Sequence, residues 1–420
     1  MKNNMRILLV GIFLVLLLLP ISAVELYENT KTGYKQVGEP FFGTNVRLDA
    51  MGGAGLGVKG THDSYLLNPA NLAKSGFKLS LPAITITAHN PQRILASGAL
   101  DDFLDGDGEE AMLSGAQKLL GTIQKGYGDF LTTDVATTFT VGGFGLSVEA
   151  QERLMTYKSG ADLTSTNLLA QVSAAATLGF GMNFKVVPKV LDIDVGVSAK
   201  AVYKAYLQAQ NANTIIDMMD ENSDPMKKLL NQTPLMAGWA VPISVGMNLN
   251  FPFALRVSAV AKNLNGTYRM STYESVDSWA KELFGTTFND DAQDPPSRGD
   301  WEMEVPWSLD FGFAWTPSLF GKLLEPTIAI DVVDVISMSG NKGPDLTRAF
   351  FEQTRLGASV RVLRFLDLRY GINKGYQSLG VGLDLLVFHI DAAYYIREYG
   401  QNLGDKPIDA LSVRFSIGSR

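Results

Sequence analysis

The chain has 420 residues, with 36 Lys and Arg against 43 Asp and Glu, a net charge of −7 and no cysteine. The missing cysteine excludes disulfides, thiolate metal sites and a lipid-modified cysteine behind a leader. The acidic balance, with no basic cluster, argues against a nucleic-acid partner.

The chain begins Met1-Lys2-Asn3-Asn4-Met5-Arg6, runs without charge from Ile7 to Leu19, and continues Pro20-Ile21-Ser22-Ala23. A basic start, a short apolar run and a small residue predict a secretory signal peptide over residues 1–23. The apolar run falls short of the roughly 20 residues that a membrane-spanning helix needs, which disfavours the alternative of a single anchor.

Residues 41–76 are glycine-rich and too irregular for a strand pair. They contain Gly52-Gly53-Ala54-Gly55-Leu56-Gly57 and, further on, Asn68-Pro69-Ala70. Gly55-Leu56-Gly57-Val58-Lys59-Gly60 formally matches a dinucleotide fingerprint, but no strand and crossover helix surround it. Asn68-Pro69-Ala70 reads as a pre-organised turn. Proline fixes its own φ, pushes the asparagine out of the helical region, and frees the asparagine side chain for neighbouring backbone groups.

From there on the pattern is period two, the signature of β-strands. In 169–187 the residues Val172, Leu178 and Phe180 share one face, and Ser173, Thr177 and Gly179 the other. Val195 and Val197 oppose Asp194 and Gly196; Phe311 and Phe313 oppose Asp310 and Gly312. One face is apolar and the other small or charged, as in a barrel with a lipid-facing exterior and a polar lumen. A soluble sandwich also alternates, but it does not account for such long strands or for an export signal.

The alternation predicts fourteen strands, over 76–87, 133–142, 144–157, 169–187, 190–207, 237–251, 253–264, 303–316, 325–337, 353–363, 365–373, 377–387, 388–398 and 409–418. Connections alternate between tight turns and longer loops. Short periplasmic turns, long extracellular loops and an even strand number are the pattern of an outer-membrane barrel. The expected fold is therefore all-β, a fourteen-stranded antiparallel transmembrane barrel. Aromatic residues near strand ends fit interfacial girdles.

Three loops carry helix-spaced apolar residues. Met112, Leu119 and Leu120 lie in a helix expected near 111–124. Met218, Met219, Leu229 and Leu230 lie in one expected near 212–231, and Trp279 in a stripe over 276–284. These faces either pack on each other and the rim or form a greasy mouth that collects apolar ligands; methionine suits the second use.

Catalytic and metal-binding signatures are absent from the sequence. The three histidines, His62, His89 and His389, lack metal-ligand spacing, and no nucleophile elbow or phosphate loop occurs. No enzyme and no cofactor is expected. The acidic stretch Asp101–Glu110 lacks the spacing of a calcium loop. Charges of both signs on lumen-facing positions, Glu149, Arg153, Lys200, Asp310 and Arg355 among them, point to internal ion pairs more than to an ion-selective pore.

The segment Arg47-Leu48-Asp49-Ala50-Met51-Gly52-Gly53-Ala54-Gly55, followed by Asn68-Pro69-Ala70, resembles the N-terminal hatch of the FadL-type long-chain fatty-acid transporters and their PorV-like relatives. Ala261-Lys262-Asn263-Leu264-Asn265-Gly266 resembles a strand end found in the PorV-like branch. The resemblance implies three parts: a signal peptide at 1–23, a periplasmic segment and luminal hatch at 24–75, and a barrel at 76–420. It implies that Gly52, Gly53, Gly55, Gly57, Asn68, Pro69 and Ala70 shape the hatch, with the glycines allowing close approach to the wall. It also implies an outer-membrane monomer that admits hydrophobic small molecules by passive diffusion. Its partners would be outer-membrane lipids, the apolar ligand and, during biogenesis, the barrel-assembly machinery. A PorV-like secretion or scaffold barrel that binds proteins, and an adhesin-like surface barrel, stay open. In one respect the chain departs from such barrels: it ends Phe415-Ser416-Ile417-Gly418-Ser419-Arg420, with its last aromatic displaced inward.

Overall fold

A computed structural model describes residues 43, 45–105, 109–160, 165–211, 234–285, 298–320, 323–338, 342–399 and 403–418. The expected signal peptide and the helix expected near 212–231 lie outside the described residues. Fourteen antiparallel strands form one sheet closed on itself. They are β1 (Lys78–His89), β2 (Gly126–Val141), β3 (Phe144–Lys158), β4 (Thr166–Val187) and β5 (Leu191–Asn211). Next come three interrupted strands: β6 (Leu235–Ala240 and Ile243–Asn250), β7 (Leu255–Leu264 and Tyr268–Tyr273) and β8 (Arg298–Met303 and Ser308–Trp315). The series ends with β9 (Leu324–Val332), β10 (Thr354–Val362), β11 (Leu366–Asn373), β12 (Tyr376–Leu385), β13 (Phe388–Glu398) and β14 (Pro407–Gly418). Pairing of Ile84 with Phe415 and of Ile86 with Val413 joins β1 to β14 and removes both sheet edges.

The two faces separate as the alternation requires. Val172, Leu178, Phe180, Val195, Val197 and Phe311 point outward and are exposed, with Phe313 partly so, whereas Ser173, Thr177 and Asp194 point inward and are buried. Leu178 is 66% exposed beside Thr177 at 1%. An apolar exterior around a polar interior is stable only where the exterior meets lipid, which makes this an outer-membrane barrel. Phe415 faces outward on β14 and stacks on Phe388, 6.0 Å between ring centroids.

The departures from the expected strands have local causes. β2 begins seven residues earlier than its alternation suggested, because a register shift between Asp129 and Leu131 inverts the phase. β9 stops at Val332, where Asp334 adopts φ 48 and its N–H binds the Asp310 carboxylate at 2.8 Å. β7 does not end at Leu264. Asn263 and Asn265 take φ of 61 and 58, the ladder lapses, and the strand resumes at Tyr268. β6 and β8 break beside it, at Val241-Pro242 and around Pro306. Proline has no N–H for a ladder.

Inside the barrel, α1 (Val46–Ala50), α2 (Ser64–Leu67) and a 3₁₀ turn (Pro69–Leu72) lie between the N-terminal side and β1. At the long-loop end, α3 (Pro91–Ala96), α4 (Ala99–Asp105) and α5 (Glu109–Gly121) follow β1. α6 (Val276–Phe284) is capped by Ser275 and Ser278. α7 (Pro344–Gln353) precedes β10.

The sidedness generates a prediction. Leu178→Arg should destabilise the barrel in lipid vesicles by about 2–4 kcal/mol, the cost of a cation near the bilayer midplane. Thr177→Ser, on the lumen face, should change stability far less. Urea unfolding of both variants in vesicles checks the register, since a one-residue slip would reverse the ranking.

Candidate functional site

The segment from Asn45 to Ser75 circles the inner wall at one level and closes much of the lumen. Asn45 starts α1 by accepting from the Leu48 N–H at 3.2 Å. The chain then reverses through Gly52 and Gly53, whose φ of 63 and 81 suit glycine alone among ordinary residues. It leaves the lumen where Ser75 accepts from the N–H groups of Gly142, at 3.1 Å, and Gly143, at 3.2 Å.

At most strands this plug crosses, the wall presents a glycine, an alanine or a short polar side chain. Cross-strand pairs align Gly145 with Gly179, Gly181 with Gly196, Gly196 with Gly246, and Gly357 with Gly371. A Cβ on Gly145 would meet Leu72 at 2.8 Å, on Gly312 Leu56 at 2.7 Å, and on Gly357 the Met51 carbonyl at 2.6 Å. On Gly196 it would overlap Pro69, on Gly246 the Asn68 side chain, and on Gly371 the Gly52 backbone. The glycines form a track without side chains, in which the plug is seated.

Wall side chains also satisfy the plug's irregular backbone. Asp331 accepts from the N–H groups of Gly55, at 2.6 Å, and Leu56, at 3.0 Å. Ser378 accepts from Gly52 at 3.0 Å and donates to the Ala50 carbonyl at 3.1 Å. Arg256 donates to the Gly57 carbonyl, and Lys78 to that of Gly60. Asn68 is extended, with φ −146 and ψ 108. Its amide donates to the Leu56 carbonyl at 3.0 Å and to Asn248 on β6 at 2.8 Å, and its oxygen accepts from Ala70 at 3.0 Å. Asn248 in turn donates to Asn71 at 3.1 Å and accepts from Ser258 at 2.7 Å.

Plug charges meet opposite charges on the wall. Lys59 binds Asp194 at 3.0 Å, and Asp63 binds Arg414 at 3.2 Å. Burial acts to raise the Asp63 carboxyl, but His62 and Arg414 overcome it and hold the group well below the ordinary carboxylate range. Asp49 has no such close partner; burial pushes it up to about 7 against the pull of Arg397.

The expected hatch residues are thus placed together, with one difference. A Cβ on Gly52 would meet the Ile372 backbone at 2.7 Å and one on Gly57 would meet Ala314 at 2.8 Å, whereas one on Gly55 would collide with Leu48, inside the plug itself. Sequence reasoning missed Asn248, Asp331, Ser378 and the glycine track. Gly179, Gly181, Gly196 and Gly312 stood out as lumen-facing, but their common level depends on the register of paired strands.

On the extracellular side of the plug lies a cavity of about 560 Å³. Seven carboxylates and seven Lys or Arg side chains line it, so it has no net sign. Asp129 pairs with Arg153 at 2.7 Å and Lys262 with Asp310 at 2.7 Å. Beside it, behind the breaks in β6–β8, Tyr206, Met236, Tyr268, Met270, Met303 and Val305 form one buried apolar cluster, with the Lys204 ammonium of the cavity wall 4.9 Å from the Tyr268 ring. Asn263 bridges the breaks, its amide donating to the carbonyls of Val305 at 2.9 Å and Pro306 at 3.0 Å.

The residues expected at a ligand-collecting mouth are placed differently. Leu119 and Leu120 are buried against Phe103, Phe130, Leu154 and Leu168, and so pack α5 onto the rim. Met112 is half-buried. Trp279 packs beside Leu235 and Tyr273 and donates to the Tyr203 hydroxyl at 2.8 Å. Met218, Met219, Leu229 and Leu230 lie outside the described residues.

Two variants probe the seat. Gly371→Val should expel the plug backbone from its track and raise small-ion conductance in planar bilayers, while the barrel still folds; conductance equal to the parent's would show that the plug tolerates the collision. Asn248→Ala leaves one N–H of the buried Asn68 amide without its acceptor and should cost about 1–3 kcal/mol, read as a lower urea midpoint in vesicles.

No family model matches the sequence, and no curated protein matches it. Solved structures do. The Ralstonia pickettii toluene transporter TbuX is similar over 90% of this chain and 98% of its own, at 12% identity and a TM-score of 0.45. The CymD monoaromatic hydrocarbon channel is similar over 90% and 97%, at 14% identity and a TM-score of 0.45. A Pseudomonas aeruginosa FadL homologue is similar over 90% and 98%, at 12% identity and a TM-score of 0.40.

Proposed function

We propose that the chain is an outer-membrane transporter that admits hydrophobic small molecules, long-chain fatty acids among them, by passive diffusion. In this reading residues 1–23 are a signal peptide, 24–75 carry the hatch, and 76–420 form the barrel. The observation that carries it is the Met- and Tyr-rich cluster held behind three adjacent broken strands. Apolar cargo gains nothing from the charged cavity, whose ion pairs it would have to desolvate. The cluster offers an apolar surface, and the break offers a sideways exit to lipid. Capture at the mouth falls to exposed side chains such as Leu95, Leu104 and Phe284, since Leu119 and Leu120 are committed to packing.

A second reading is a PorV-like scaffold that binds protein and transports nothing. The charge-balanced cavity and the fully hydrogen-bonded Asn68 favour it.

Uptake of a fluorescent long-chain fatty acid into vesicles separates the two. The transporter reading expects protein-dependent uptake that rises several-fold in Asn263→Ala, which releases the bridge across the break, and falls several-fold in Met270→Arg. A folded parent with no uptake above empty vesicles favours the scaffold. Deleting 45–72 should make the barrel leak small polar solutes and lose selectivity; unchanged permeability and uptake would rule out gating by the hatch.

A further inference from the structure

Four of the six turns at the periplasmic end carry a large apolar side chain on an exposed tip. Phe253, Phe320 and Leu386 are 85%, 79% and 96% exposed, and Leu363 is exposed as well. All four sit at positive φ, of 62, 48, 63 and 51 respectively. Glycine, asparagine and aspartate are the ordinary occupants of that backbone region, and bulky residues are uncommon there. The β11–β12 turn at the other end also has a non-glycine residue at positive φ, Lys374 at 51, but pairs it with Gly375 and carries no apolar tip. Greasy tips on strained backbone are a poor choice for turns bathed in water.

We propose that these tips are immersed in the periplasmic leaflet, so that the barrel sits low with its turn ring at the boundary between headgroups and acyl chains. Two observations support lipid as the occupant. The apolar wall runs into the turns: Phe184, Val186, Val187 and Val190 are exposed around the β4–β5 turn, with Lys185 and Lys189 exposed among them. The height of the belt also fits. Its upper edge is marked on β6–β7 by Trp239, with the Arg269 guanidinium 5.4 Å from its ring. Eleven residues separate Trp239 from Asn250. At about 3.3 Å per residue and a tilt near 40°, they span roughly 28 Å along the membrane normal. An apolar band of about 25 Å measured down from Trp239 therefore ends at the turn, with Phe253 in the interface. Lys189 and Arg364, exposed beside the apolar tips, have stems long enough to carry their charges to lipid phosphates.

The chain has no cysteine, so single-site labelling needs no background removal. Nitroxides are placed on L386C, F253C and F320C of the full chain in vesicles of phosphatidylethanolamine and phosphatidylglycerol. L178C serves as the lipid reference and K374C as the water reference. The readout is the collision rate with oxygen divided by that with a water-soluble nickel chelate. The tips should give ratios several-fold above K374C and near L178C. Ratios equal to K374C at all three tips overturn the proposal and leave the ring to a periplasmic protein. The three tips lie on three separate turns, so a variant that fails to insert leaves two independent readings.

Discussion

Backbone N–H and C=O groups inside a bilayer have no water to bind, and each one left alone costs several kcal/mol. This constraint shapes both parts of the molecule. The wall meets it by closing β1 onto β14, so that no strand has an open edge. The plug cannot meet it with its own hydrogen bonds, because α1 and α2 are five and four residues long. Its remaining donors and acceptors go to side chains of the wall: Asp331, Ser378, Arg256 and Asn248 each bind plug backbone or the asparagines that hold it. The plug therefore takes its shape from the barrel.

Shape complementarity follows from the same arrangement. A carboxylate or hydroxyl on the wall reaches plug backbone only if the two chains run close together, and strands with ordinary side chains would hold them apart. The glycine track removes that obstacle on eight strands, β3, β4, β5, β6, β8, β10, β11 and β12. Close approach and hydrogen bonding thus depend on each other. A valine in the track would both collide with the plug and pull it away from its donors. Interiors packed this densely yield little to such changes.

The fold was legible in the sequence because a barrel wall has two opposite solvents and writes them at every second residue. The pairs Leu178 and Thr177, and Phe311 and Asp310, carry the whole argument for sidedness. What escaped were features that break the period or span strands. The Asp129 bulge inverts the phase, and Pro242 and Pro306 fell inside strands read as continuous, over 237–251 and 303–316, where they are interruptions. The alternation read over 253–264 stopped β7 too soon, since Asn263-Leu264-Asn265-Gly266 looks the same in sequence whether the strand ends or resumes. In the candidate site, Asn68-Pro69-Ala70 was legible because proline restricts its neighbour locally. Asn248 was not, because a polar residue on a lumen face is unremarkable until its partner, 180 positions away, is known.

The relative cost of two openings follows from these bonds. To vacate the lumen, the plug must give up hydrogen bonds to β1, β6, β7, β9 and β12 together with the Lys59–Asp194 and Asp63–Arg414 pairs, leaving charges buried without partners. The break across β6–β8 is held by less. Asn263 contributes two bonds, each worth about 0.5–1.5 kcal/mol net, and Asn265 reaches the Val241 carbonyl at 3.4 Å. Pro242 and Pro306 have no N–H to strand when the neighbours part, and the Pro242 carbonyl keeps its bond from the Lys200 N–H at 3.0 Å. The Met and Tyr side chains behind the break offer lipid tails an apolar surface, bounded on the lumen side by the buried Lys204 ammonium, 4.9 Å from the Tyr268 ring. The gap in the ladder at β6–β8 is therefore bridged by fewer side-chain bonds than those that seat the plug, and the transporter reading places its exit there, sideways past apolar surface instead of down the axis through charge.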